Sequence, residues 1–555
     1  MRQTDPWVRI VPLGGLGEIG MNMTLLETEE DILVIDAGLM FPEEEMLGID
    51  LVLPEVTYLL EHRDKVRGIV LTHGHEDHTG GLPYLLPQLP VPVHGTTLAL
   101  GLVQEKLREF GLDQTADLRR IRARDVLRLG GLTLEFIRVS HSIPDGVAVA
   151  VETPAGLVIH SGDFKFDQTP VDGALTDVQR FATLGERGVL ALLSDSTNAI
   201  REGFTPSESA IGRTFEQLFR SAPRRIIVAC FASNIHRIQQ VLDVAARLGK
   251  KVAVNGKSMS ANTRIAAELG YLHVPEDTLV RLEELRHFRP DQSVIITTGS
   301  QGEPLSAVAR MAVGEHKQLE IQPGDMVIFS ARVIPGNEKS IARTINQLCR
   351  RGAHVITEEV LPGVHVSGHP SQEELKLMLN LTRPRFFVPV HGEYRHLYAH
   401  AALARRTGIP PEQVFLLEDG DVLELTPRSA HVVNRVATGR VFVDGKGVGD
   451  VGDTVLRDRQ HLAQDGMVVV VIGFDKEGTV VAGPDIISRG FAILPEDDAL
   501  FEEARTLILT VLDGCGLEEK TDWTLIKQRI RSVIRKFLWR SVERRPMVLP
   551  VIIEV

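Results

Sequence analysis

The run Thr72-His73-Gly74-His75-Glu76-Asp77-His78 gathers three imidazoles and an aspartate within six residues. It follows an apolar stretch, Gly68–Leu71, and precedes Thr79-Gly80-Gly81. Imidazole nitrogen and carboxylate oxygen suit divalent zinc or manganese. A lone histidine in a strand is more often structural, but three with an aspartate on one glycine-flanked loop read as a metal site. One loop cannot complete two coordination spheres. Further ligands are sought where other apolar runs end: His141 after Phe136–Ser140, Asp163 after Leu157–Ile159, and His391 after Phe386–Val390.

The elements that must carry these residues are legible as texture. Short apolar runs at Val8–Leu13, Met23–Leu26, Ile32–Ile35, Gly68–Thr72, Leu132–Val139, Val147–Glu152 and Leu157–Ser161 read as strands, with a helix at Thr97–Phe110. This predicts strand-rich sheets with helices packed outside. From about Ser207 strands and helices alternate: Arg225–Cys230, Ile235–Leu248, Lys251–Asn255, Ser260–Leu269, Ser293–Thr298 and Met326–Ser330. That pattern predicts a separate α/β unit with a parallel sheet. Strand texture returns at Phe386–Val390 and Val414–Leu417. A last region holds a strand at Met467–Ile472, helices at Asp498–Leu512 and Thr524–Val542, and a strand-like end at Pro546–Val555.

Gly15-Leu16-Gly17-Glu18-Ile19-Gly20 matches a dinucleotide-binding fingerprint, and Asp36 stands where a ribose-binding acid would. The context fails, because a helix must open at the third glycine. Here Asn22–Glu27 runs straight into another strand, so a glycine-rich turn at the rim of the site is the better reading.

The 555 residues fit three or four domains. Three cysteines, Cys230, Cys349 and Cys515, are odd in number, far apart and without CxxC spacing, which fits a reducing cytoplasmic setting. Met1–Trp7 has no apolar signal core, and no apolar run reaches the ~18–20 residues of a membrane span, so no membrane role is expected. A net charge of −13 argues against nonspecific coating of nucleic acid. It leaves a nuclease open, since bound cations add local positive charge and a phosphate channel needs only a local basic lining.

The HxHxDH spacing, with the later His141, Asp163 and His391, resembles the metallo-β-lactamase hydrolase fold. That resemblance implies an αββα sandwich. His73, His75 and His141 would bind one divalent ion, Asp77, His78 and His391 a second, with Asp163 bridging, and both ions Zn²⁺ or Mn²⁺. Two such cations ~3.5–4 Å apart activate a bridging water and neutralise a phosphoryl centre, so a hydrolase is expected. The Asp36-Ala37-Gly38 turn resembles one whose aspartate orients a ligand histidine. A plain turn aspartate is the other reading.

Leu193-Ser194-Asp195-Ser196-Thr197-Asn198, followed by a long insertion before His391, resembles the β-CASP nuclease branch of that fold. Asp195 matches its first signature acid, His369 in Ser367-Gly368-His369 its second, and His391 in Pro389–Glu393 its third. The resemblance makes His369 the acid that protonates the leaving oxygen. Asp195 would hold a ligand or His369, and Asp77 and His78 would serve the chemistry along with the metals. Gly48–Pro54, Phe231–Arg237, His365–Pro370 and Arg544–Pro550 resemble ribonuclease J, and the resemblance runs over essentially the whole chain.

The ribonuclease J likeness implies an α/β architecture: a metallo-β-lactamase domain in 1–206 and, with a linker, 356–448, a β-CASP insertion at 207–355, and a small α/β C-terminal domain at 449–555. The implied activity is 5′-to-3′ exonuclease action on 5′-monophosphorylated single-stranded RNA plus endonuclease action, in rRNA processing and RNA decay. The implied assembly is a homodimer or tetramer, formed through the C-terminal domain, with RNA-degradation partners. Ala232, Ser233 and Asn234, at a strand-to-helix junction, and the loop His365-Val366-Ser367-Gly368-His369 would receive the 5′-phosphate; Ser233 as a simple helix cap is the alternative. Asp50 and Asp444, with the Gly48 carbonyl, would hold a structural Ca²⁺ or Mn²⁺, or else be surface turn residues. Three rivals remain open: a small-molecule hydrolase of the same fold, a DNA nuclease, and a scaffold without catalysis.

Overall fold

The computed structural model describes residues 5–43, 45–303, 305–334, 336–445, 447–491, 497–515 and 522–555. They form two compact units, one of residues 1–43 and 51–441, the other of 44–50 and 442–555.

Alternation along the strands builds the first unit. In Leu132–Arg138, Leu134 and Phe136 join one apolar core while Ile137 joins another; in Phe386–Val390, Phe386, Val388 and Val390 face one way and Phe387 the other. Successive side chains of a strand point to opposite faces, so each such strand has apolar neighbours on both sides. The result is two sheets, of eight and six strands. Their shared core includes Ile10, Leu26, Ile35 and Val70 from one sheet and Leu134, Phe136, Val149, Leu193 and Val388 from the other. The outer face of the first sheet packs Leu100, Val103 and Leu107 of the helix Thr97–Glu109. The outer face of the second is covered by the helices Val178–Arg187, Gln372–Thr382 and Tyr394–Arg406. The layers are therefore α, β, β, α, as expected.

Strand direction places the site. Gly156–His160, Ala191–Asp195 and Phe386–Val390 run parallel as neighbours, and Leu132–Arg138, two antiparallel steps away, runs the same way. Their C-terminal ends thus open on one edge of the sandwich. Between Asp195 and Phe386 the chain builds a five-stranded, all-parallel sheet ordered Lys251–Asn255, Ser293–Thr297, Ile226–Ala229, Met326–Phe329, His354–Ile356. Its two faces are covered by separate apolar cores, as a doubly wound unit requires.

One strand reading fails. Val414–Leu417 forms no strand, only an isolated bridge from Val414 to Phe387; the strand is Asp421–Leu425. Val414 and Leu417 are buried by packing under the sheets, which gives an apolar run without ladder pairing.

In the second unit, Met467–Phe474 lies between Val480–Arg489 and Met547–Glu554, with Val468, Val470, Ile472 and Val548 packed on Ile508, Ile526, Ile530 and Ile534 of the helices Asp497–Asp513 and Trp523–Val542. Among the described residues, no helix is long and apolar enough to cross a membrane.

Candidate metal centre and active site

The strand Val66–Val70 delivers Thr72, and a single helical turn, Glu76–Thr79, presents Asp77 and His78 back toward it. Backbone closeness makes this possible. Gly38 N donates to Asn22 O and Asn22 N to Asp77 O, and a Cβ on Gly38 would sit 1.7 Å from Asp77 O. Only glycine fits at that crossing.

Seven expected ligands meet there. His73 Nε2 is 2.9 Å from His75 Nδ1, and His141 Nε2 is 3.2 Å from the same atom. Asp163 Oδ2 lies 3.7 Å from both His73 Nε2 and His141 Nε2. On its other side it lies 3.3 Å from His78 Nε2 and 3.4 Å from His391 Nε2, and each of these imidazoles is 3.5 Å from Asp77 Oδ2. Donor atoms on a tetrahedral ion with bonds of ~2.0–2.2 Å are ~3.3–3.6 Å apart, so the spacing matches two adjacent coordination shells sharing Asp163. His391 Nε2 is buried with no hydrogen-bond partner among the described residues. The residues present therefore fit two divalent cations.

Three of the outer ring nitrogens are tied down, which leaves the cluster-facing nitrogens of those rings free to bind. His78 Nδ1 is 2.7 Å from Asp36 Oδ2, His141 Nδ1 is 2.8 Å from Gly368 O, and His391 Nδ1 is 2.7 Å from Thr197 Oγ1. Asp36 also accepts from Thr72 N and Thr72 Oγ1, each at 2.8 Å, so it holds the His78 ring as well as the turn. Such partners fix ring orientation in metal sites. Gly368 is bound to this arrangement, since a Cβ there would lie 2.6 Å from His141 Cε1.

Electrostatics divides the cluster. Burial first, then neighbouring imidazoles, pushes His73 and His141 well below the usual histidine range and His75 to about 4. Burial also opposes charge on His78 and His391. There the nearby carboxylates outweigh it: Asp163, Asp77 and Asp36 hold His78 well above its ordinary value, and Asp163 and Asp77 carry His391 up to about 9. The hollow thus pairs neutral imidazoles with carboxylates that call for positive charge.

Beside the cluster, His369 Nδ1 lies 2.8 Å from Asp195 Oδ2. Asp195 is buried; its Oδ1 accepts from Thr197 N at 2.9 Å and its N donates to Ser161 Oγ at 3.1 Å. Asn198 Nδ2 donates to Ser367 Oγ at 2.8 Å and to His369 O at 3.0 Å. Nothing in the sequence marks Asn22, Thr72, Ser161, Thr197 or Asn198 as site residues, because lone hydroxyls and amides carry no spacing signal.

In the expected phosphate pocket, Asn234, not Ser233, caps the helix Ile235–Arg247, accepting from Arg237 N at 3.0 Å. The Ser233 side chain has no hydrogen-bond partner among the described residues. Ala232 is partly buried beside it. Across from them, Val366, Ser367 and Gly368 are buried, and His365 Nδ1 is buried without a partner among the described residues. The buried Arg237 ties the two segments: it donates to Glu208 Oε1 at 2.7 Å, to Ser330 O at 2.9 Å and to Val364 O at 3.4 Å.

Elsewhere, Asp50 Oδ2 accepts from Gly445 N at 2.8 Å. Asp444 pairs with Arg459, whose Nη1 donates to Leu47 O at 3.0 Å and would sit 2.7 Å from a Cβ on Gly48. A guanidinium thus occupies the ground between Gly48 and Asp444. Among the described residues, the clusters suited to a metal do not include Asp50 or Asp444.

Comparison with known proteins agrees with this geometry. Residues 16–202 match the metallo-beta-lactamase superfamily, 223–348 the ribonuclease J beta-CASP domain, 354–416 the Zn-dependent metallo-hydrolase RNA specificity domain, and 454–555 the ribonuclease J C-terminal domain. The chain is 45% identical over 549 residues to ribonuclease J2 of Bacillus subtilis, covering 99% of both chains. It is 46% identical over 558 residues to ribonuclease J of Thermus thermophilus, covering 99% of this chain and 95% of the other. A solved protein of unknown function from Enterococcus faecalis shares the fold at a TM-score of 0.54 and 15% identity, over 76% of this chain and 100% of that one.

Proposed function

The chain belongs to the ribonuclease J family, and from that premise we propose that it is a metal-dependent ribonuclease that trims 5′-monophosphorylated single-stranded RNA from the 5′ end and also cuts internally. The observation that carries the hydrolytic reading is the Asp163 carboxylate shared between two sets of converging ligands, within 3.7 Å of His73, His78, His141 and His391.

His73, His75 and His141 would hold one divalent cation and Asp77, His78 and His391 the other, with Asp163 between. Bound there, Zn²⁺ or Mn²⁺ would supply an activated water and charge neutralisation at the phosphodiester. The chain's own residues do the rest. Asp36, Thr197 and the Gly368 carbonyl orient the ligand rings. His369, steadied by Asp195, carries the proton for the leaving oxygen. Ser233 and the backbone opening the helix at Ile235 offer donors to a terminal phosphate, with Ser367 and His365 opposite. The buried ion pair of Arg237 with Glu208 holds those two segments in register.

The C-terminal unit would join two copies of the chain. Among the described residues, the helices Asp497–Asp513 and Trp523–Val542 pack on one face of its sheet. On the other, Val469 pairs across with Leu549 and Ile487, and Ile487, Leu549 and Ile553 are 47%, 45% and 49% exposed. Exposed apolar faces of this kind mark association surfaces. Free cysteines at 230, 349 and 515 suit a cytoplasmic place of action.

The test is cleavage of one RNA sequence bearing either a 5′-monophosphate or a 5′-hydroxyl, with a DNA copy alongside. The proposal expects mononucleotides released fastest from the monophosphate RNA, and that preference weakened in Ser233→Ala and Ser367→Ala. Unchanged discrimination in both variants would remove the phosphate pocket, and cleavage of DNA at the same rate would remove the RNA preference.

A further inference from the structure

We propose that Arg201, Arg332 and Arg395, with Tyr394 and Tyr398, form a seat beside His369 for the phosphates and bases of a single RNA strand. The proposal rests on the ribonuclease reading and adds residues to it.

Arg332 donates through Nη1 to Asn198 Oδ1. Asn198 in turn donates to Ser367 Oγ at 2.8 Å and to His369 O at 3.0 Å. One side chain therefore separates this guanidinium from the loop that carries His369. Its own loop is braced by Gln301, whose Nε2 donates to Arg332 O at 2.7 Å and whose Oε1 accepts from Ile334 N at 2.8 Å.

Charge around Arg332 is poorly balanced. Burial, then repulsion from Arg201 and Arg395, pulls its guanidinium down to about 10, and only Glu393 opposes them. Glu393 is already engaged, 2.9 Å from Arg395 Nε. Arg201 is exposed and has no carboxylate partner among the described residues. Arg332 thus stands near two further guanidiniums, with Glu393 the acid that acts on it, in a chain of net charge −13. Uncompensated positive charge at the rim of a site attracts a polyanion and raises its local concentration.

Exposed aromatic rings stand on the same segments as Arg201 and Arg395. Tyr394 and Tyr398 are 51% and 60% exposed. They stand four residues apart on the helix Tyr394–Arg406, hence on one face of it, and the helix begins three residues after His391. Phe204, 65% exposed, precedes Thr205, whose Oγ1 donates to His369 O at 2.8 Å. Cations that track the backbone, interleaved with rings on which bases stack, are how proteins hold single strands without reading sequence.

The experiment is fluorescence anisotropy with a 3′-labelled single-stranded RNA, in chelator so that no strand is cut, across a range of salt. Wild type is compared with R201Q, R201Q/R332Q and Y394A/Y398A. Each arginine lost should flatten the plot of log affinity against log salt by ~0.7. The tyrosine variant should lose on the order of tenfold in affinity with its slope unchanged. Slopes that stay at the wild-type value in both arginine variants overturn the proposal. R201Q changes an exposed side chain with no carboxylate partner among the described residues, so its result does not depend on how well R201Q/R332Q folds. Flattening with both 5′-monophosphate and 5′-hydroxyl RNA assigns the cations to internal phosphates; flattening with the monophosphate alone assigns them to the terminal one. Cleavage by the wild type with metal is scored separately. If it cuts RNA while the slopes do not change, only the seat is lost. If it cuts no RNA, the ribonuclease reading falls whatever the anisotropy shows.

Discussion

His369 Nδ1 stands 2.8 Å from Asp195 Oδ2, and Asp195 is itself fixed by Thr197 N and Ser161 Oγ. A carboxylate so held sets the tautomer and direction of the imidazole, leaving Nε2 as the free nitrogen. Asp195→Asn keeps the shape and removes the charge. The expected outcome is a fall in kcat of ~10²–10⁴, the range general acid catalysis contributes, with metal content unchanged by elemental analysis. His369→Ala should lose about as much, and the double variant little more, because the pair acts as a unit. Activity within twofold of wild type in Asp195→Asn would remove His369 as the proton donor.

Asp419 gives a pH-dependent prediction. Its Oδ1 accepts from Leu16 N at 3.2 Å, and Leu16 pairs with Gly392 next to His391. Burial, then the nearby Glu18, pushes its carboxyl up to about 7. The folded chain therefore holds this proton more tightly than the unfolded chain, whose aspartate has a pKa of ~3.9. The stability it contributes is complete below about pH 4 and is lost as pH rises through about 7. Asp419→Asn should raise Tm at pH 8 by ~1–3 °C and leave it unchanged at pH 4. Equal shifts at both pH values would contradict this.

The open face of the C-terminal sheet predicts association. Leu549→Asp with Ile553→Asp places two charges on that face without touching the buried Val548. Light scattering should show the wild type as a dimer or larger and the variant as a monomer. A wild-type monomer would refute the role given to this unit.

Much of the site was readable in sequence because each ligand ends an apolar strand, and parallel strands bring their ends to one edge. The seven expected ligands and Asp195 arrive that way; His369, on the loop between His354–Ile356 and Gln372–Thr382, is marked only by the family resemblance. The glycine-rich stretch Gly15–Gly20 opens no helix; Leu16 and Gly17 pair instead with Gly392 and Glu393, next to His391. The hidden part depends on distant packing. Thr197 and Asn22 gain their roles only when the sandwich closes. Residues 45–50 join the second unit, with Asp50 N donating to Val443 O at 2.8 Å, a long-range pairing that no local pattern announces. The arginines around Asn198 come from three separated segments and form no run in the sequence.

The most direct measurement takes the purified protein and 5′-monophosphate RNA with Mn²⁺, with Zn²⁺ and with chelator, beside an Asp77→Ala/His78→Ala variant. The account predicts mononucleotide release with one or both metals, none in chelator, and a loss of at least ~10³-fold in the variant together with reduced metal content. Undiminished cleavage in chelator, or by the variant, would contradict the two-cation centre at Asp163.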